Sequence, residues 1–136
     1  MIVKFFILLT LTTSQAFAWE VLSKKGEFYL RDGKDIFSIT SEGGTPKFLQ
    51  VESWEKDYKK VTYFAGAAGT SQICEITRAL LINRENKVLG DLPISYKCQN
   101  EKGQSLDKAT WVRKNDVLEV SDPQTDEVIK IILNKK

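Results

Sequence analysis

The side chains that carry most enzyme chemistry are scarce in this sequence. It contains no histidine and only two cysteines. The lack of histidine excludes Ser-His-Asp and Cys-His catalysis, zinc sites built on imidazole, and histidine-based pH switching. The segment R-D-G-K-D at residues 31–35 has too few acids at the required spacing for a calcium loop. We therefore expect neither a metal site nor a cofactor.

Paired carboxylates are the one catalytic option that remains, as in glycoside hydrolysis. The acidic residues Glu75, Asp91, Glu119 and Asp122 are candidates. No spacing singles out a pair among them, and scattered acids usually belong to a solvated surface. The sequence thus predicts a protein that is not an enzyme, with a carboxylate-based hydrolase as an alternative.

Cys74 and Cys98 are predicted to form a structural disulfide. They do not have the C-x-x-C spacing of redox sites, and an even pair of cysteines fits an oxidising compartment. The loop-entropy formula gives roughly 3.5 kcal/mol of stabilisation for the residues that they span. This is an upper figure, because a hairpin between the two cysteines already restricts the unfolded chain.

The tryptophans are the candidates for a binding platform. Large aromatic side chains dominate binding hot spots, but a small β domain also needs them in its core. Trp111 alternates with Thr110 and Val112 and is expected to point inward. Trp54 follows a strand and precedes a charged stretch, so Trp54 and Tyr58 form the predicted binding pair.

The region that holds both cysteines is predicted to be a hairpin. Residues 83–87 (N-R-E-N-K) form the turn, because Asn86 tolerates the left-handed backbone that hairpin loops need. Folding the arms about Asn86 sets Cys74 opposite Cys98 and Glu75 opposite Lys97, a favourable charge pair. The same register places these residues opposite each other: Thr77 and Ser95, Ile76 and Tyr96, Leu80 and Leu92, and Ile82 and Gly90.

Two features disagree with this regular hairpin. Pro93 cannot donate to a ladder and predicts an edge or a bulge, and Arg78 falls on the apolar face opposite Ile94. The rival structure is a helix over residues 71–88, capped by Ser71 and ending before Gly90.

The remaining chain predicts further short strands. Two of them flank Asp32-Gly33, whose use as a two-residue turn pairs Phe28 with Phe37. Residues 53–60 are predicted to form either a short helix or a charged hairpin turn. The small residues 66–70 are predicted to form either a tight connection or a mobile loop. Residues 99–107 are predicted to form a surface loop. The whole pattern of about nine or ten strands predicts an all-β fold, an antiparallel sandwich or small barrel of hairpins.

Residues 1–18 have the features of a signal peptide. Lys4 is followed by a short apolar core and the A-x-A site that ends at Ala18. We expect cleavage after Ala18, a single β domain over residues 19–136, and a periplasmic or secreted protein. No cysteine follows the cleavage site, so no lipoprotein anchor is expected.

The charge pattern limits the classes of partner. The net charge is +2 and both signs are interspersed along the chain, so neither a nucleic acid nor insertion of the mature protein into a membrane is expected. We expect an exported, noncatalytic binding module that recognises another protein or a glycan, for example an inhibitor of another macromolecule. The rival is a carrier of a small apolar ligand inside a barrel. The oligomeric state stays open.

Overall fold

A computed structural model describes residues 19–70 and 72–133. They form eleven β-strands and no helix, which confirms the predicted all-β class. The predicted signal peptide lies outside the described residues. The strands are β1 (Trp19–Lys24), β2 (Glu27–Asp32), β3 (Asp35–Ile39), β4 (Lys47–Trp54), β5 (Tyr58–Ala68), β6 (Ile73–Ile82), β7 (Val88–Asn100), β8 (Gly103–Lys108), β9 (Thr110–Lys114), β10 (Val117–Ser121) and β11 (Val128–Ile132).

The strands make three antiparallel sheets. The N-terminal sheet has the order β1-β2-β3, the central sheet β4-β5-β6-β7-β8, and the C-terminal sheet β11-β10-β9. The central sheet ends at β4 and β8, which do not pair with each other. The arrangement is therefore sandwich-like, and the described strands do not close a barrel.

The central sheet lies between the other two because β6 is apolar on both faces. Leu80 and Ile82 pack in a cluster with Leu30 and Phe37 of the N-terminal sheet. The intervening Leu81 packs with Leu118 and Val120 of the C-terminal sheet. Since side chains alternate across a strand, one continuous apolar run serves two hydrophobic clusters.

The predicted hairpin is confirmed at the end that holds the two cysteines. Cys74 faces Cys98, Glu75 faces Lys97, Ile76 faces Tyr96 and Thr77 faces Ser95. The turn at residues 83–87 also forms: the side-chain Oδ1 of Asn83 accepts hydrogen bonds from two backbone amides of the turn, and Asn86 has a φ of 60°. The rival helix is excluded.

The predicted register is wrong in the half of the hairpin that lies nearer the turn. The pairing shifts between Thr77 and Arg78, which leaves Ile94 as an extra residue in β7. Pro93 explains the position, because it has no N–H for the ladder and favours a bulge. Arg78 therefore faces Pro93 and not Ile94, Leu80 faces Asp91, Leu92 faces Ala79, and Ile82 faces Val88 after a second shift.

Three other expectations are resolved by the strand pairing. The first turn uses Gly33 and Lys34, so Leu30 and not Phe28 pairs with Phe37. Gly33 has a φ of +62°, as the first central residue of a type II′ turn requires. Residues 53–60 contain a hairpin turn between β4 and β5, and no helix. Residues 99–107, predicted as a loop, instead continue β7 and form β8.

The small residues 66–68, predicted as part of a tight connection or a mobile loop, instead continue β5 and pair with β6. The backbones of Gly43 and Gly66 form an isolated bridge, and Ala67 N–H donates to the Gly43 carbonyl at 3.0 Å. A Cβ added at Gly66 would lie 2.1 Å from the Gly43 carbonyl oxygen. The β3–β4 loop is thus fixed directly against the central sheet.

Candidate functional site

A half-buried polar cluster joins the N-terminal sheet to the central sheet. Asp91 accepts hydrogen bonds from Arg78 Nε at 3.0 Å, Tyr63 Oη at 2.7 Å and Thr40 Oγ1 at 2.9 Å. The Asp91 carbonyl also accepts a bond from Arg78 Nη2 at 2.7 Å, and Thr40 N–H donates to Tyr63 Oη at 3.0 Å. Three strands and the end of β3 therefore meet at one carboxylate.

The two tyrosines near this cluster are held in their neutral form. Burial raises the pKa of Tyr63 well above its ordinary value, and the negative charge of Asp91 adds to the rise. Burial and the hydrogen bond to Asp122 raise the pKa of Tyr96 to about 12. Protonated phenols donate hydrogen bonds and are poor nucleophiles. The cluster is therefore suited to holding the sheets together.

The acids singled out in the sequence have different partners. Glu75 lies on an exposed face opposite Lys97, whereas Glu119 forms an ion pair with Lys114 at 3.1 Å. Asp122 accepts the hydroxyl of Tyr96 at 3.0 Å. Among residues 19–70 and 72–133, no group of three His, Cys, Asp or Glu side chains could hold a metal ion.

The predicted disulfide is present, and Cys74 and Cys98 have Cα atoms 4.0 Å apart. This spacing is that of a pair without mutual backbone hydrogen bonds, in which cross-strand side chains approach most closely. The Cys98 side chain is 1% exposed and belongs to the cluster under the N-terminal sheet. The bond therefore joins two central strands at the edge of that cluster.

The predicted binding pair, Trp54 and Tyr58, flanks the turn of the β4–β5 hairpin. Trp54 is half-buried, with its ring 5.6 Å from Tyr58 and 6.0 Å from Trp111 between centroids. Tyr58 is buried and donates its hydroxyl to the Leu133 carbonyl at 3.2 Å. Both rings are thus in contact with the C-terminal sheet. The role of this pair in binding stays a prediction, while the indole of Trp111 is half-buried as expected and donates to the Pro93 carbonyl.

A second feature of the surface is the side of the C-terminal sheet that points away from the core. The pairing of β9, β10 and β11 aligns nine side chains on it. We call this region the outer C-terminal face. It consists of Thr110, Val112, Lys114, Val117, Glu119, Ser121, Val128, Lys130 and Ile132.

Branched apolar residues lie at three places on the outer C-terminal face. Ile132 is 60% exposed, Val128 52% and Val112 47%. Glu119 and Lys130 lie in the same row as Val112, and Lys130 separates Val128 from Ile132 along β11. The face thus presents branched apolar side chains around a central pair of opposite charges, and exposed apolar surface with polar neighbours occurs at interaction sites. The sequence analysis did not select these residues, although the alternation V-I-K-I-I contains the signal: period two places Val128, Lys130 and Ile132 on one face.

The other described surfaces offer shallow open hollows. One of about 510 Å³ lies over the ends of β6, β7 and β8, between Ile73 and Gln104. Another of about 410 Å³ lies on the outside of the N-terminal sheet, beside Leu22, Tyr29 and Ile36. The first is lined mostly by polar and charged residues, unlike the apolar pocket typical of a small-molecule carrier. The second is lined by Leu22, Tyr29 and Ile36 together with Ser23 and Lys24, and it is open to solvent.

No protein-family model matches the chain, and no curated protein or solved structure is significantly similar to it. Within residues 19–70 and 72–133, no helix is long and apolar enough to cross a membrane. The disulfide is compatible with an oxidising compartment outside the cytosol. We select the outer C-terminal face as the candidate site because of its exposed apolar residues.

Proposed function

We propose that the protein is an exported, noncatalytic binding module that recognises another protein through its outer C-terminal face. The observation that carries this proposal is the exposure of Val112, Val128 and Ile132 on one continuous sheet face. Branched side chains on a strand lose little conformational freedom when they are covered. A rigid sheet that presents them is thus well suited to an interface.

Inward packing supports the rigidity of this face. Leu118 and Val120, on the opposite side of β10, are completely buried against the central sheet. Lys60 lies 4.5 Å from the centre of the Trp111 ring, a cation–π contact that adds to the same junction. The apolar residues on the outside are therefore held in place before a partner arrives.

Export of the module is supported by two sequence features. The segment at residues 1–18 has the charge, apolar core and A-x-A site of a signal peptide, and the disulfide needs an oxidising environment to persist. N-terminal sequencing of the protein recovered from the periplasm or the medium tests this part. The expected first residue is Trp19.

An inhibitor is one form that such a module takes, because it covers part of an enzyme without chemistry of its own. The carrier alternative has less support, because the described hollows are open to solvent and Tyr63, Leu80 and Leu81 are fully buried in the interior. A glycan partner is also less favoured, since the outer C-terminal face presents branched aliphatic side chains and no aromatic ring.

Site-specific photo-crosslinking tests the proposed surface. A photoreactive residue replaces Ile132 in the full-length protein, which is then produced in its own cells. The matched control carries the same residue at Ile36, which is 56% exposed on the N-terminal sheet. A discrete protein adduct from position 132 that is absent from position 36 is expected. No adduct from position 132, or the same adducts from both positions, would contradict the proposal.

A further inference from the structure

The strand β11 is a free edge of the C-terminal sheet. It pairs with β10, and among the described strands it has no neighbour on its other side. Leu133 N–H donates to the Asp116 carbonyl, and at the opposite end of this ladder Asp122 N–H donates to the Glu127 carbonyl. Hydrogen-bonded pairs alternate along antiparallel strands. It follows that Ile129 and Ile131 bond to β10, whereas Val128, Lys130 and Ile132 direct their N–H and C=O groups outward.

The residues with outward backbone groups also have exposed side chains. Val128 and Ile132 flank Lys130 on the outer C-terminal face, and Lys130 is exposed. Lys130 forms no ion pair within residues 19–70 and 72–133. An edge strand with a central lysine resists pairing with its own copy, because a symmetric antiparallel pair would place Lys130 opposite Lys130.

The neighbouring strand β10 shows which side chains fit opposite β11. Glu119 lies opposite Lys130, Val117 opposite Ile132, and Ser121 opposite Val128. Opposite charges and branched apolar residues are favourable cross-strand neighbours. On the side of β11 that is already paired, the partner strand β10 therefore places an acidic residue opposite Lys130 and an apolar residue opposite Ile132.

We propose that β11 binds an extended, antiparallel segment of a partner protein that places an acidic residue opposite Lys130 and an apolar residue opposite Ile132. The segment adds a fourth strand to the C-terminal sheet, with main-chain hydrogen bonds giving affinity and the two side-chain positions giving selectivity. This inference rests on the proposed function, because it names the partner of the same surface.

The two edges of the central sheet, β4 and β8, fit such a segment less well. The pairing of β4 is irregular between Phe48 and Gln50, and Phe48 stacks on Trp19 of β1. A bulge and a neighbouring strand both hinder strand addition. The edge strand β8 is regular, but Leu106 is its single large apolar residue. The edge at β11 thus combines free backbone groups with apolar anchors.

Two peptides test the inference on the intact protein. The first has the β10 sequence D-V-L-E-V-S-D of residues 116–122 with blocked ends, and the second has lysine in place of the glutamate. Amide hydrogen exchange of the labelled protein is followed by NMR. The acidic peptide is expected to slow exchange at Val128, Lys130 and Ile132, whose amides are open, and to leave Ile129 and Ile131 little changed.

A charge swap makes the test specific. The wild-type protein is expected to bind the acidic peptide about tenfold more tightly than the lysine peptide, and Lys130→Glu is expected to reverse the order. Lys24→Glu, on the N-terminal sheet, is the matched control and keeps the wild-type preference. Equal binding of both peptides, no binding of either, or protection that does not include Lys130 would overturn the inference.

The outcomes separate this inference from the proposed function. Crosslinking at Ile132 together with no peptide protection at β11 would leave the outer C-terminal face as the binding surface and remove strand addition. Charge-dependent peptide binding without a crosslinked partner would support the edge and contradict the proposed function in those cells.

Discussion

The N-terminal and C-terminal sheets have the same construction and differ in how they are anchored. Each is a three-stranded antiparallel meander that packs on one face of the central sheet. The N-terminal sheet is joined to the central sheet by stacked rings, with Trp19 5.8 Å from Phe48 of β4, and by the hydrogen bonds of Thr40 to Tyr63 and Asp91. The C-terminal sheet is joined by Leu118, Val120 and the Trp111 contacts.

The outer sides of the two sheets differ as well. On the N-terminal sheet, Arg31 and Glu20 form an ion pair, and Ile36 is the one large apolar residue described there as strongly exposed. On the C-terminal sheet, three such residues share one face. Equal topology thus gives two outer surfaces that differ in their number of strongly exposed apolar residues, and the N-terminal one also carries the hollow beside Leu22, Tyr29 and Ile36. The difference arises from the residues of each strand that point to solvent, because packing against the core does not constrain them.

The largest effects are expected from the core residues beneath each sheet. Leu30→Ala and Leu118→Ala each remove a completely buried side chain, and each is expected to lower the free energy of unfolding by about 3 kcal/mol. Urea denaturation followed by fluorescence and circular dichroism measures the loss. A single coincident transition is expected for both variants. Separate transitions would instead mean that one sheet unfolds independently.

Reduction of the disulfide is expected to distinguish the two sides. It should lower the free energy of unfolding by about 2–4 kcal/mol. Because Cys98 packs in the cluster beneath the N-terminal sheet, amide exchange should accelerate more in β2 and β3 than in β10. The Cys74→Ser/Cys98→Ser variant controls for the reductant. Unchanged stability on reduction would show that the hairpin is equally stable without the bond.

Two tyrosines allow a direct comparison of the anchors. Tyr63→Phe removes a bond to Asp91 and the acceptor of the Thr40 N–H, and about 1–3 kcal/mol should be lost. Tyr58→Phe removes one bond to the Leu133 carbonyl, with an expected loss of about 1 kcal/mol. Chemical denaturation at pH 7 measures both. A larger loss for Tyr58→Phe would contradict the ranking.

Tyr63 and Tyr96 predict a loss of stability at alkaline pH. The folded protein raises the pKa of Tyr63 and Tyr96, so their contribution is complete below the unfolded pKa of about 10 and is lost as pH rises toward the folded values. Stability should thus fall between about pH 10 and 12. Tyr63→Phe should make this fall shallower, whereas an unchanged slope would show that Tyr63 is not responsible.

The smallest effects on stability are expected on the outer surfaces. Ile36→Ser and Ile132→Ser change side chains of similar exposure, 56% and 60%, and each should alter stability by less than about 0.5 kcal/mol. Only Ile132→Ser should weaken capture of the protein partner in a pull-down with the purified variants. Equal weakening by both variants would remove the functional distinction between the sheets.

Local sequence was sufficient where a turn or a pair of residues determines the structure. Asn115-Asp116, a polar pair of the kind that favours hairpin turns, forms a two-residue turn, with Lys114 paired with Val117 and a φ of 56° at Asn115. Cys74 and Cys98 lie within five consecutive pairs that keep the predicted register, although two register shifts separate these pairs from the turn. Both results depend on neighbouring residues and on alternation with period two, which can be read directly from the chain.

The structure of residues 99–107 could not be predicted from local sequence. Their polar composition predicts a loop, yet β8 pairs with β7 along its length. An edge strand needs few apolar residues, because one side of its backbone and much of its surface face water. The central sheet supplies the hydrogen bonds that the composition does not suggest.

The sequence by itself determined the all-β class, the disulfide and the absence of histidine chemistry. Only the tertiary structure decided which faces are buried, because the extra residue Ile94 reverses the alternation of β7 and sends Leu92 and Tyr96 to different clusters. Asp91 thereby reaches Arg78 and Tyr63 on the inner side. The same packing leaves Val128, Lys130 and Ile132 outside, since β11 is covered on its inner face alone. A bulge and the coverage of a sheet depend on contacts between distant segments, and no local pattern in the chain records them.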